Sequence, residues 1–187
     1  MMSDIAAAVG NTLEDAGPAV ATAFQFPVAV YFDVLRGLVE FSQANDLRVI
    51  YITAAVPART ILATFRALDI DVNGICFIDC ISQMIMSEKA DSDRVIYVES
   101  PTILENIVLK VEYLMRRMGP GRRLVVVDSI NSLAIHNDAK ILSEFLHVLI
   151  SNLGPREAYP VVLTMKEALK PETLGMLALV CDQIVDL

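Results

Sequence analysis

The chain has 187 residues, a formal net charge of -8 and a sequence pI near 4.7. Such an acidic chain argues against nucleic acid as a default partner, because proteins bind the phosphate backbone mainly through lysine and arginine. Hydrophobic residues make up 55% of the sequence and the mean hydropathy is +0.52, yet no uninterrupted apolar run approaches the roughly 18 residues that a membrane helix needs.

The N-terminus and the cysteines favour a cytoplasmic protein. Residues 1–17 lack the basic region and the apolar core of a signal peptide. The three cysteines, Cys76, Cys80 and Cys181, are an odd number, and two of them lie in predicted core strands. We interpret them as reduced, buried thiols, and we expect no association with a membrane.

The first half of the chain predicts helices alternating with apolar strands. Residues 1–17 predict a short amphipathic helix, whose apolar stripe packs on this core or on a second subunit; we favour the first. A strand follows within residues 22–32 and ends near Pro27, because proline cannot donate to a central ladder. The next predicted elements are a helix to about Ala44, a strand over 48–53, a helix beginning near Pro57 and a strand over 74–80.

The second half continues the alternation after a polar segment, residues 81–93, which predicts a long solvated loop. A strand over 94–98 leads to a helix over 100–118, with Ser100 as its cap and Pro101 in its first turn. The following elements are a strand over 123–128, a helix capped by Asn137 or Asp138, a strand over 159–164, a helix over 171–179 and a strand over 183–187. The Lys166-Glu167 pair is expected to be solvated.

This alternation predicts one α/β domain over residues 1–187, with a three-layer, doubly wound and mostly parallel sheet. The apolar run 124–127 is rich in β-branched residues and ends in Asp128, as expected of a central strand that is buried on both faces. Open α/β sheets bind their ligands at the carboxyl ends of such strands. Asp128 and Ser129 are therefore the first candidates for a site.

The stretch R-L-V-V-V-D-S-I-N-S-L, residues 123–133, resembles the Walker B segment of the RecA/KaiC-like P-loop ATPases. The strand V-I-Y-I-T resembles the strand that carries their catalytic glutamate, and I-C-F-I-D resembles the edge strand that follows it. The closing A-L-V-C-D-Q-I-V-D-L resembles their final strand. The resemblance implies a RecA-like P-loop NTPase fold, in which Asp128 would hold Mg²⁺.

Two parts that this resemblance implies are missing from the sequence. A Walker A loop, G-x-x-x-x-G-K-[ST], should follow the first strand, since its amides and lysine hold the phosphates. Gly37 is the only glycine between Ala19 and Asn73, and the first lysine of the chain is Lys89. The glutamates that would activate water are replaced in the segment T-A-A-V-P, residues 53–57, which has no proton acceptor.

We therefore expect no catalytic residues, no cofactor and no metal site. Asp128 and Ser129 are a Walker B remnant that either contacts a nucleotide or serves the fold. We favour the second role, in which Asp128 accepts bonds from nearby amides or from Ser129, since Mg²⁺ is poorly held without a triphosphate. Asp79 ends a strand in the same way, and nothing near it in the sequence indicates a site.

The sequence leaves three functions open. The first, which we favour, is a non-catalytic RecA/KaiC-like domain that acts by protein association, as a homo-oligomer or with a related subunit, because the family assembles through faces beside its ATP site. The second is residual nucleotide binding at Asp128 and Ser129 without efficient hydrolysis. The third is an enzyme of another class at the same sheet edge, which no motif in the sequence supports.

Overall fold

A computed structural model describes residues 4–85 and 93–187. The helices are α1 (Asp4–Ala16), α2 (Tyr31–Ala44), α3 (Ala58–Ala67), α4 (Ser82–Ile85), α5 (Leu104–Arg117), α6 (Ile130–His136), α7 (Ala139–Leu153) and α8 (Pro171–Val180). The strands are β1 (Thr22–Phe26), β2 (Arg48–Thr53), β3 (Ile75–Asp79), β4 (Val95–Tyr97), β5 (Arg123–Asp128), β6 (Tyr159–Met165) and β7 (Gln183–Asp186). None of the helices in these ranges has the length and apolar character to span a membrane.

The strands of the described residues form one seven-stranded sheet in the order β4-β3-β2-β5-β6-β1-β7. Every pairing is parallel, so the predicted α/β fold with a parallel sheet is confirmed. β5 is the middle strand, and all six of its residues are buried, as its apolar sequence predicted. The carboxyl ends of β1, β2, β5 and β6 meet at one edge of the sheet.

Two hydrophobic layers cover the sheet, one on each face. Helices α1, α2 and α3 pack on one face, with Leu13, Leu38 and Phe65 buried in its core. Helices α5 to α8 pack on the other, with Ile107 and Leu146 in the second core. Burial on both faces explains why the strands are apolar runs rather than alternating patterns.

Several predicted elements differ from the structure. Helix α5 begins at Leu104 rather than at the predicted Ser100 cap, because the Ser100 hydroxyl accepts the Thr102 N–H and closes a separate turn first. The expected edge strand β3 is not at the edge, since β4 pairs outside it. Within the predicted loop 81–93, residues Ser82–Ile85 are helical, and residues 86–92 lie outside the described part of the chain.

The apolar stripe of α1 packs on this chain's own core, the alternative that we favoured. Ala6, Val9 and Leu13 are buried against α2. The two helices cross at Gly37, where an added Cβ would lie 2.6 Å from the Ala6 carbonyl oxygen and 2.9 Å from the Val9 Cβ. The only glycine of α2 is therefore a contact point, because any side chain there would push α1 away from the sheet.

We predict that Gly37→Ala lowers the free energy of unfolding by about 1–3 kcal/mol, the usual cost of overpacking a close contact. Urea denaturation of the purified protein measures this change. Gly10→Ala is the matched control, since Gly10 lies in α1 with no atom within 4 Å of an added Cβ. That variant should be neutral or slightly more stable, because alanine favours the helix. An equally stable Gly37→Ala protein would contradict the tight crossing.

Candidate functional site

Asp128 ends the central strand β5 and pairs in register with Thr53, the last residue of β2. Its exposed fraction is 0%, and Ser129 beside it is equally buried. The Asp128 carbonyl accepts the Ala54 N–H at 2.6 Å, which continues the ladder one residue beyond β2. The candidate Walker B carboxylate therefore lies inside the protein and not on an open crevice.

Two tyrosine hydroxyls bind the Asp128 carboxylate. Tyr31, the first residue of α2, donates to Oδ2 at 2.5 Å, and Tyr51 of β2 donates to the same oxygen at 2.6 Å. Tyr31 is 8% exposed and Tyr51 is 3% exposed. These neutral donors replace the backbone amides and Ser129 that we predicted as partners, so that prediction was wrong in the identity of the donors.

Burial dominates the protonation of this cluster. It raises the pKa of Asp128 to about 6, although the hydrogen bonds from Tyr31 and Tyr51 act in the opposite direction. Burial, followed by the charge of Asp128, raises the pKa of both tyrosines far above their usual range. Both hydroxyls therefore keep their protons and remain donors over the whole physiological range.

The second carboxylate oxygen of Asp128, Oδ1, is buried and has no hydrogen-bond partner. An unpaired buried acceptor costs about 1–3 kcal/mol. This cost is consistent with the raised pKa, since protonation of the carboxyl removes the charge that burial penalises. The hydrogen bonds to Oδ2 therefore stabilise the fold, whereas the unpaired Oδ1 lowers its stability.

Ser129 and Asn131 connect β5 to its neighbours. Ser129 is the N-cap of α6, where its hydroxyl accepts the Ser132 N–H at 3.4 Å. On α6, the Asn131 side-chain oxygen accepts the Met165 N–H at 2.8 Å, and its amide nitrogen donates to the Met165 carbonyl at 3.2 Å. The Ser129 side chain is thus used to begin a helix, and Asn131 fixes the end of β6.

The connection from β1 to α2 is short, and the amides of Val28 and Val30 in it are occupied. Only residues 27–30 separate the strand from the helix, and residues Val28–Val30 form a 3-10 turn. The Val28 N–H donates to both carboxylate oxygens of Glu167, at 3.0 and 3.1 Å. The Val30 N–H donates to the Pro27 carbonyl at 3.1 Å. Glu167 is exposed, as expected, although its carboxylate also holds this amide.

The end of β2 carries no carboxylate. The Thr53 hydroxyl donates to the Val56 carbonyl and closes the turn before α3. Asp79, at the end of β3, accepts bonds from the backbone N–H groups of Ala58, Ile81 and Ser82 and from the Ser82 hydroxyl, at 2.6–3.0 Å. Asp79 therefore joins β3 to two helices and has no free oxygen for a ligand.

The residues at this edge do not fit a Mg²⁺–triphosphate pair. In the part of the chain that the structure describes, no group of three His, Cys, Asp or Glu side chains gathers as a metal would require. Asp128 is fully buried and its Oδ2 is bound by two tyrosine hydroxyls, and a phosphate near Val28 would meet the Glu167 carboxylate. We therefore derive no step that involves a nucleotide or a metal.

Sequence reasoning found Asp128 and missed its donors. Tyr31 and Tyr51 are 97 and 77 residues away from it, so no local motif links them. One signal was available for Tyr31, because it stands just after the first strand, where the family resemblance implied polar groups. For Glu167 the sequence offered no signal beyond its charge.

We predict that the raised pKa of Asp128 gives the protein a specific pH dependence. The folded chain keeps this proton up to about pH 6, whereas an ordinary aspartate loses it near 3.8. Between these values the folded state binds more protons, so the free energy of unfolding falls as pH rises, by up to about 3 kcal/mol.

The measurement compares urea denaturation of wild type and Asp128→Asn from about pH 4 to about pH 7. Asparagine keeps the shape and an acceptor oxygen for the tyrosines, but it does not titrate. The variant should gain stability relative to wild type as pH rises, while the titrations of the other carboxylates cancel. Parallel pH profiles would contradict the raised pKa.

The fold is similar to that of two solved archaeal proteins. A KaiC-like protein, PH0186 from Pyrococcus horikoshii OT3, superposes with a TM-score of 0.62 and 11% identity, over 90% of this chain and 71% of that one. The flagellar accessory protein FlaH from Methanocaldococcus jannaschii gives a TM-score of 0.60 and 11% identity, over 99% and 76%. These likenesses establish a RecA-like fold and, at this identity, nothing about activity.

The sequence itself matches no functionally curated protein. It does match a described family over residues 33–187, which include most of α2 and every element after it, and therefore the whole candidate site except Tyr31 and the connection before it. On that match, the chain belongs to the family of unknown function DUF7090.

Proposed function

We propose that this protein is a non-catalytic RecA/KaiC-like domain that acts by association with a second copy of itself or with a related subunit. The main observation in favour of a non-catalytic role is that the Asp128 carboxylate is buried and already hydrogen-bonded. Its carboxylate has no exposed surface and is bound by the hydroxyls of Tyr31 and Tyr51. A Walker B aspartate that works on a nucleotide must instead reach a hydrated Mg²⁺.

The connection between β1 and α2 supports a degenerate Walker A. A phosphate-binding loop needs several free N–H groups that point at one position. Here Pro27 has no N–H, and the Val28 and Val30 N–H groups are already used. The Glu167 carboxylate lies against the connection, so an approaching triphosphate would meet negative charge before it met a donor.

Association is supported by apolar side chains on the outer faces of α5 to α8. Leu109, Ile135 and Leu179 are 62%, 74% and 86% exposed. Between α5 and α7 the surface forms a groove of about 240 Å³. The residues that line it are Leu104, Glu105, Val108, Ile141, Glu144, Phe145 and Val148.

This groove favours a protein partner over a small molecule. Its floor is apolar, and its two carboxylates, Glu105 and Glu144, repel anionic ligands such as nucleotides. Ile141 and Val148 lie seven residues apart on α7, both 48% exposed, and form the stripe that a partner helix recognises. A two-fold dimer is the commonest closed assembly and brings the same patch of each copy together.

Residual nucleotide binding is the second candidate, because one observation favours it. The unpartnered Oδ1 of Asp128 is an acceptor that a cation could satisfy. Oδ1 is buried, so a cation could reach it only if the side chains around the carboxylate moved. We therefore rank this function below association.

We predict that ATP with Mg²⁺ shows no saturable binding tighter than about 1 mM and no hydrolysis above background. Calorimetric titration and a phosphate-release assay measure the two quantities. Asp128→Asn is the diagnostic variant, since it keeps the shape of the cluster. Micromolar binding in wild type that disappears in this variant would favour the second candidate function.

We predict that the chain forms a dimer at micromolar concentration, measured by light scattering after size exclusion. Val148→Glu should shift the mass to the monomer, because it adds a charge to the apolar groove, four residues from Glu144. Leu68→Glu is the matched control, as Leu68 is 38% exposed at the end of α3 in the opposite helix layer. A wild-type monomer across a dilution series would contradict the association.

A further inference from the structure

The amino-terminal edge of the sheet, opposite Asp128, carries a concentration of arginine. The sequence has ten arginines, and six of them come from three places in this region: the end of α5 with the start of β5, the start of β2, and the turn after α7. They are Arg48, Arg116, Arg117, Arg122, Arg123 and Arg156. In a chain of net charge -8, this corner is a local positive region.

Arg123, the first residue of β5, is the buried member of the group, with an exposed fraction of 1%. Its guanidinium donates to two carbonyls, those of Gly119 and Arg122, the second at 3.0 Å. Its Nε is buried and has no partner. Within the described residues, no carboxylate lies within salt-bridge distance of Arg123.

A buried cation without an anion is unusual, because the cost of removing the charge from water is normally offset by an ion pair. The burial of Arg123, and then the charge of Arg48 beside it in the neighbouring strand, lower the pKa of its guanidinium. Carbonyl oxygens offer only partial negative charge. The positive charge of Arg123 therefore lacks a compensating anion.

A pocket of about 380 Å³ lies beside Arg123. Arg116 and Arg156 also line it, together with Met115 and the loop 119–121. Arg156 is partly neutralised by Glu112, at 2.9 Å, whereas Arg116 has no carboxylate partner among the described residues. The pocket is thus lined by three guanidinium groups, one of which is paired with a carboxylate.

The loop Gly119-Pro120-Gly121 shapes the wall of the pocket. Both glycines have positive φ, 74° and 123°, which other residues adopt only with strain. A Cβ on Gly121 would lie 3.0 Å from Arg123 Nη1, so a side chain there would press on the guanidinium. The sequence therefore keeps the space next to the buried cation free of side chains.

We propose that this arginine pocket binds a phosphoryl group of a small molecule, either free phosphate or a phosphate ester. Guanidinium groups present paired N–H donors that match two oxygens of a phosphate. A phosphoryl group near neutral pH carries about 1.5 to 2 negative charges, which suits the excess of two cations left after Arg156 pairs with Glu112. A monocarboxylate would leave one of them uncompensated. This site does not depend on the proposed association or on Asp128.

The first test uses the full chain and compares salts at equal ionic strength. Sodium phosphate, pyrophosphate and a sugar phosphate are each titrated against sodium chloride in thermal-shift and calorimetric experiments. Phosphoryl ligands should raise the melting temperature and give a saturable isotherm, and chloride should not. Comparison of the sodium phosphate and sugar phosphate titrations shows whether the pocket prefers free phosphate or a phosphate ester. Equal shifts with phosphate and chloride would overturn the proposal, since they would reflect screening alone.

The second test uses exposed arginines, so that folding is preserved. Arg116→Gln should weaken phosphate binding about tenfold or more, the usual effect of losing one charge-assisted hydrogen bond. Arg117→Gln is the matched control, because Arg117 is the next residue of α5 and does not line the pocket. Asp128→Asn should leave the affinity unchanged. Equal losses in the Arg116 and Arg117 variants would overturn the assignment of the pocket.

Discussion

The Asp128 carboxylate is the constraint around which the carboxyl edge of the sheet is organised. It stands at the end of the middle strand, without exposed surface, and only donors brought by other elements can offset its burial. Tyr51 comes from β2 and Tyr31 from the start of α2, so this single oxygen links three elements. The short connection after β1 matters here, because it brings Tyr31 to the carboxylate.

The connection between β1 and α2 also binds the turn that follows β6. The Val28 N–H donates to Glu167, which lies in the turn after β6, and Lys166 beside it binds Asp186 of β7. The Val28 amide, which in a phosphate-binding loop would face a ligand, here holds the chain's own carboxylate. The edge is therefore closed by internal bonds, whose partners lie in the connection after β1, in the turn after β6 and on β7.

The strands and most helices could be predicted from the sequence, because a doubly covered parallel sheet leaves a strong apolar signal in runs such as 124–127. Helix α6 was missed, since it has only seven residues, although Ser129 and Ser132 carry a capping signal. The donors to Asp128 could not be predicted, as they depend on tertiary contacts. No role for Arg116 and Arg117 follows from the sequence alone, although Arg122 and Arg123 follow closely and extend the same positive region.

The two edges of the sheet therefore differ in what they can bind. At the carboxyl edge, every described group that once suggested a site already has an internal partner, apart from Oδ1 of Asp128, which is buried. At the amino edge, the guanidinium of Arg123 is buried with carbonyl partners alone, and a pocket opens beside it.

A buried carboxylate with an unpaired oxygen, such as Asp128, can lose its charge by taking up a proton, as its raised pKa indicates. A buried arginine cannot become neutral in the same way, because its guanidinium does not lose its proton in proteins. The missing counter-charge at Arg123 must therefore come from outside the side chain, which makes the amino edge the better place to look for a small ligand.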